Sequence, residues 1–195
     1  MNSALTFTGS PYTSFMHETK VTLSNGIELH VEIGGQPEHP AIMLIMGLGA
    51  QLLFWPDFFC KSLIDQGYRV IRFDNRDIGL SSKIRHSGPR LNTFKLMGRF
   101  ALGLENQGAP YNLYDMAEDA ALLIDHLELD NVSVLGASMG GMIAQILAAR
   151  HPHKVSNLGL MFTSNNQPLL LPPFPKQLLS LIGKPASTDE DGIVN

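Results

Sequence analysis

The stretch VSVLGASMGGMIAQILAAR (132–150) constrains this chain more than any other. Val132 to Leu135 reads as a buried strand. GGMIAQILAAR, from Gly140, reads as a helix that is apolar nearly all round, hence buried, and that ends before Pro152. Between them, Gly136-Ala137-Ser138-Met139-Gly140 fits the pattern G-x-S-x-G. A serine held on a tight strand-to-helix turn has its Oγ pushed out above the sheet. Crowding there leaves no room for side chains two residues away, which accounts for Gly136 and Gly140. The helix that follows points its N-terminus at the same place, and its free N–H groups and dipole favour negative charge. Ser138 is therefore the candidate nucleophile, and the backbone N–H of Met139 is the natural first donor to a developing oxyanion.

The rest of the chain repeats the strand–helix alternation. AIMLIM (41–46) and RVIRF (69–73) are continuous apolar runs, as expected of strands covered on both faces. LLFWPDFFCKSLIDQG predicts one helix stopped near Gly67. Lys20 to Leu23 and Ile27 to Ile33 flank Asn25-Gly26, a strong hairpin signal. Leu113, Met116, Ala117, Ala120, Leu123, Ile124 and Leu127 form a helical stripe with Asn112 as its N-cap. VSNLGLMF (155–162) predicts a further strand. Residues 91–111 are ambiguous, with a short helix as one reading. From Asn165 the texture changes to a dense apolar stretch with Pro168, Pro172, Pro173 and Pro175. The expected organisation is a polar arm over 1–18, an α/β core over 19–163 and a separate segment over 164–195. The core is a mostly parallel sheet with an antiparallel hairpin at its start and helices on both faces.

Composition narrows the function. A net charge of −4 with no basic run gives no footprint for nucleic acid or an anionic membrane. No long apolar run precedes Lys20, and AIMLIM is far too short to span a bilayer. The one cysteine, Cys60, sits among apolar residues as core filler and fits a reducing, cytoplasmic compartment. No His, Cys or acidic pair has metal-site spacing, so no metal is expected. A rival reading takes MGLGAQL as a dinucleotide-binding turn, with Asp74 ending the next strand. That fingerprint needs a third glycine where this chain has Leu52, and Trp55-Pro56 stands where a smooth helix start belongs.

An ordered set of motifs resembles the α/β-hydrolase superfamily. Within it, the set is similar to the single-domain esterases akin to aclacinomycin methylesterase and the pimeloyl-carrier-protein methyl esterases. NGIELHVEIGG resembles their first hairpin, LIMGLGAQLLFW their oxyanion loop and FDNRDIGLSS their loop after the fourth strand. YNLYDMAEDAALLIDHLELDNVSVLGASMGGMIAQILAARHPHKV resembles their helix, serine turn and next helix almost throughout. The resemblance covers roughly residues 20–162. It implies cleavage of a carboxylic ester through an acyl-serine intermediate, with a small-molecule ester as substrate and no cofactor. Thioester, lactone and C–C bond hydrolysis use the same apparatus. It implies a second oxyanion donor, the backbone N–H of Leu48 after Gly47. Such enzymes usually have His-Gly at that place; here Met46 replaces the His, and donation by the Leu48 backbone does not need it. It implies that Asp74, Arg76, Asp77 and Ser81 hold a loop bordering the site. Arg76 reads as half of a local ion pair that orders this loop, with a substrate clamp as the alternative.

A serine hydroxyl needs a base. In this superfamily an acid and then a His follow the serine. His151 and His153 lie at the far end of the helix leaving Ser138, about 18 Å away at a helical rise of about 1.5 Å per residue. His86, in a long loop, is the one internal candidate, beside the plainer reading of a solvated His. Asp189, Glu190 and Asp191 have no strand to place them, and PLLLPPFPKQLLSLIG reads as the opening of a cap. The expectation is thus the N-terminal part of a serine hydrolase, inactive alone. It would be a piece of a longer protein, half of an enzyme completed by another chain, or a non-catalytic binding protein with the same fold. The strand over 155–162 would then be an unprotected edge, so self-association or a partner chain is expected.

Overall fold

The computed structural model describes residues 15–84 and 109–165, which fall within one compact unit. Strands β1 (Met16–Thr22) and β2 (Glu28–Gly34) form the hairpin around Asn25-Gly26, with Val21 opposite Leu29. β3 (Ala41–Ile45) is followed by a 3-10 turn (Leu52–Phe54) and helix α1 (Asp57–Asp65). β4 (Arg69–Phe73), helix α2 (Leu113–His126), β5 (Val132–Ala137), helix α3 (Met139–Arg150) and β6 (Val155–Met161) complete the described residues. Among them, six strands make one sheet in the order β1-β2-β4-β3-β5-β6. β1, β2 and β4 pair antiparallel; β4, β3, β5 and β6 pair parallel. This is the mixed sheet the sequence predicts.

The strands sort their side chains by parity, as a period of two requires. Met43, Ile45, Ile71, Phe73 and Val134 point to the face that packs with Met116, Ala120, Leu123 and Ile124 of α2 and Ile143, Ala144 and Leu147 of α3. Ile42, Leu44, Val70 and Leu135 point to the opposite face, with Trp55, Cys60 and Leu63. Burying a Leu, Ile or Val side chain contributes about 1.5–3 kcal/mol, so a sheet covered twice is well supported. Cys60 is fully buried, as predicted. Asn112 caps α2, accepting from the amides of Tyr114 and Asp115 while Asp115 accepts from the Asn112 amide.

Two predicted boundaries move. β1 begins at Met16, inside the segment read as an arm, because Met16, Thr19 and Val21 are buried in register with β2 while polar His17 and Glu18 disguise the pattern. The single helix from Leu52 is broken in two. Pro56 disfavours helical geometry at the residue before it, and Trp55 is extended at φ −81° and ψ 104°. Arg72 lies wholly inside the RVIRF strand's buried surroundings. Its guanidinium donates to Glu32 Oε2 (2.6 and 2.9 Å), to Asp57 Oδ1 (2.9 Å) and to the Trp55 carbonyl, which ties the start of α1 to the sheet. Among the described residues, no helix is long and apolar enough to cross a membrane. His86, most of the ambiguous stretch 91–111 and residues 166–195 lie outside the described residues.

Candidate active site

Ser138 stands between β5 and α3 with φ 54° and ψ −123°. Side chains avoid this backbone region, and a residue held there costs about 1–3 kcal/mol. The neighbours enforce it. The Ser138 amide donates to the Met161 carbonyl at the end of β6 (2.9 Å), and Thr163 Oγ1 donates to the Ser138 carbonyl (2.7 Å). The glycines make the close approach possible. A Cβ on Gly140 would fall inside the contact radius of the Ile45 carbonyl oxygen, and one on Gly136 would strike the Gly140 carbonyl. Ser138 is exposed. Its hydroxyl does not cap α3 and makes no hydrogen bond among the described residues.

The turn after β3 lies against this serine. A Cβ on Gly47 would be 3.0 Å from Ser138 Cβ and 3.4 Å from Ser138 Oγ. Gly47's carbonyl accepts from the Ala50 amide (3.4 Å). The two ends of a peptide plane point in opposite directions, so the Leu48 N–H is turned away from that bond. Among the described residues nothing accepts from it, and the Leu48 side chain is 77% exposed. The Met139 N–H is in the first turn of α3, where no side chain caps the helix. The structure thus brings together Ser138, Gly47-Leu48 and Met139. An exposed hydroxyl in this place can attack a carbonyl once a base takes its proton, and unpaired amides beside it can hold the oxygen anion that results. The turn after β3 runs into a 3-10 helix, not the helix N-terminus a pyrophosphate needs.

Asp74 and Arg76 brace this corner. Asp74 Oδ1 accepts from the Leu52 amide (2.8 Å); Oδ2 accepts from the Leu80 amide (2.9 Å) and from His30 Nδ1 (3.1 Å). Burial opposes the Asp74 charge, but these bonds outweigh it and hold the carboxyl below its ordinary value. Burial likewise opposes charge on His30, but Asp74 and Glu18 on either side of the ring raise its pKa above 6.5. Ser81 Oγ donates to the Asp74 carbonyl (2.6 Å) and accepts from the His30 amide (2.9 Å). Arg76 pairs with Asp119 on α2 through two bonds of 2.6 Å, and lies over the Tyr111 ring at 5.1 Å. Its partner is therefore not local, as the sequence suggested, but 43 residues away. Asp77 Oδ1 accepts from the Ile84 amide (2.6 Å).

The histidines within the described residues do not reach Ser138. His151 closes α3, at the far end of that helix as expected, and meets Glu118 (3.1 Å); His126 is exposed. Sequence reasoning missed His30 as a bridge and Asn75, which donates to the Met46 carbonyl (2.9 Å). No local pattern marks either, since their partners come from other strands. No group of three or more potential metal ligands occurs among the described residues.

A strained serine at the end of a parallel strand, with a glycine turn from the neighbouring strand against it, is an arrangement of the α/β hydrolase fold. The chain belongs to the α/β hydrolase fold family, whose profile matches residues 40–184. It is 28% identical to the rhodomycin D methylesterase DnrP of Streptomyces peucetius, over 89% of this chain and 58% of that protein. It is 30% identical to the rhodomycin D methylesterase DauP of Streptomyces sp. (strain C5), over 73% of this chain and 41% of that protein. Among solved structures it is similar to the enol-lactonase of Burkholderia xenovorans LB400, at 26% identity and a TM-score of 0.58, over 74% of this chain and 46% of that one. The chain spans about half the length of the curated relatives it matches.

Proposed function

We propose that this chain carries the nucleophile and oxyanion hole of a serine hydrolase acting on carboxylic esters through an acyl-serine intermediate. The observation that carries the reading is Ser138, exposed, left-handed and with its hydroxyl unspent on capping its own helix. Its Oγ attacks the ester carbonyl carbon, and the Leu48 and Met139 amides hold the oxyanion. The alcohol departs with a proton and leaves the acyl group on Oγ, which water then hydrolyses. The base and acid lie outside the described residues in this reading. The names of two relatives, both methylesterases, support an ester as substrate. The apolar stretch after Pro168 favours a hydrophobic acyl or alcohol group. The single cysteine fits a cytoplasmic protein.

The test is labelling by a fluorophosphonate, read by intact mass, with and without added imidazole as a surrogate base. Little adduct without imidazole, and adduct with it that vanishes in Ser138→Ala, supports the reading. No Ser138-dependent adduct in either condition contradicts it. Rapid adduct without imidazole would mean that a base comes from His86 or from another chain, and His86→Ala would separate the two.

A second reading, a core completed by a partner or by another copy, is favoured by β6. Leu158, Leu160 and Met161 are exposed on it, and Phe162, just after it, is 91% exposed. Among the described residues β6 is the last strand of the sheet, and edge strands with apolar side chains recruit other strands. Sedimentation should show association that weakens in Leu160→Lys; a concentration-independent monomer argues against it.

A further inference from the structure

We infer that Asn75 is a positioning residue for the oxyanion amide of Leu48, an inference that rests on the role proposed for Leu48 above. The turn carrying Leu48 is held at both ends by consecutive residues that follow β4. Asn75 Nδ2 donates to the Met46 carbonyl (2.9 Å), just before the turn, and Asp74 Oδ1 accepts from the Leu52 amide (2.8 Å), just after it. Between these two anchors lie Gly47, Leu48 and Gly49, and Gly49 has φ 72°. A segment with two glycines has wide torsional freedom, so its own sequence does not fix where the Leu48 N–H points.

The Met46 anchor is the one that matters for direction. Its carbonyl belongs to the peptide joining Met46 to Gly47, one peptide plane before the Leu48 N–H. The same carbonyl is packed against Gly140, where a Cβ would lie 2.7 Å from its oxygen. Asn75 therefore fixes a plane wedged between the nucleophile's helix and the turn. Asn75 is itself buried, at 2% exposure, so its amide cannot exchange this partner for water cheaply. Oxyanion donors act only when aimed to within a fraction of an ångström of the developing charge, and losing one costs about 10²–10³ in rate. Loss of an anchor one plane away is expected to cost about tenfold to a hundredfold.

The test measures imidazole-assisted phosphonylation of the 195-residue chain as a function of fluorophosphonate concentration. In that step Ser138 Oγ bonds to phosphorus, fluoride leaves and imidazole takes the hydroxyl proton. Asn75→Asp keeps the shape but replaces the donor by an acceptor; Asn75→Ala removes it without burying charge, should the first fail to fold. The expected result is a maximal rate lowered at least tenfold in the folded variant, with the half-saturating concentration unchanged. A merely structural role would lower the melting temperature and leave the maximal rate of the folded protein alone, and that outcome overturns the inference while leaving the proposed function standing. Absence of Ser138 labelling in the unmodified chain sinks both.

Discussion

Gly47 lies so close to Ser138 that a Cβ on it would stand 3.0 Å from the serine Cβ and 3.2 Å from the Ala137 carbonyl oxygen. The turn after β3 and the turn after β5 are thus one contact surface, and the chemistry proposed depends on their spacing. Gly47→Ala is expected to push the turn away by a few tenths of an ångström. Imidazole-assisted labelling should fall at least about tenfold, with a stability loss of only about 1–3 kcal/mol. Unchanged labelling in the folded variant would show that the turn does not serve Ser138.

Ser138 stores backbone strain at φ 54° and ψ −123°. Ser138→Gly removes the Cβ that makes this conformation unfavourable, whereas Ser138→Ala keeps it. The glycine variant is expected to be more stable than the alanine variant by about 1 kcal/mol, in spite of glycine's larger unfolded-state entropy. Urea unfolding followed by the fluorescence of Trp55, the one tryptophan, measures the difference. The opposite order would mean that the turn is unstrained in solution.

The Arg76–Asp119 pair joins the loop after β4 to α2 from a buried position. Arg76→Ala leaves the Asp119 carboxylate with the Asn25 side-chain amide (2.8 Å) as its remaining side-chain partner. The expected loss is about 3–5 kcal/mol, and the double variant Arg76→Met, Asp119→Leu should recover much of it. A loss below about 1 kcal/mol, as for a surface pair, would show that the pair is solvated.

The Glu18–His30–Asp74 bridge predicts a pH window. His30 has a folded pKa raised above 6.5, so its contribution is complete below 6.5 and is lost as pH rises through the higher folded value. Asp74 has a folded pKa lowered from 3.8, so its contribution is present above 3.8 and is lost as pH falls through the folded value. The stability advantage of the unmodified chain over His30→Asn should be greatest between these limits and shrink toward alkaline pH. An advantage that grows from pH 7 to 9 would contradict the bridge.

What the sequence made legible was local. The serine turn, the hairpin at Asn25-Gly26, the apolar strands and the Asn112 cap each announce themselves within a few residues, because turn chemistry and periodicity are short-range. The features it concealed join distant residues. Arg72 reads as one letter of an apolar strand, yet it meets Glu32 and Asp57 on two other elements. Arg76 reads as paired within its own loop, yet its partner is on α2. His30 and Asn75 gain their meaning only when β2, β4 and the turn after β3 come together. The start of β1 was hidden because its buried residues switch faces, with Met16 on one side of the sheet and Val21 on the other, and polar His17 and Glu18 stand between them.

The role proposed for Ser138 is tested by the mass of the chain after fluorophosphonate treatment in the presence of imidazole. One adduct per chain is expected, located on Ser138, formed far faster with imidazole than without it and absent in Ser138→Ala. A folded chain that gains no adduct on Ser138 under either condition would show that this serine is only a turn residue.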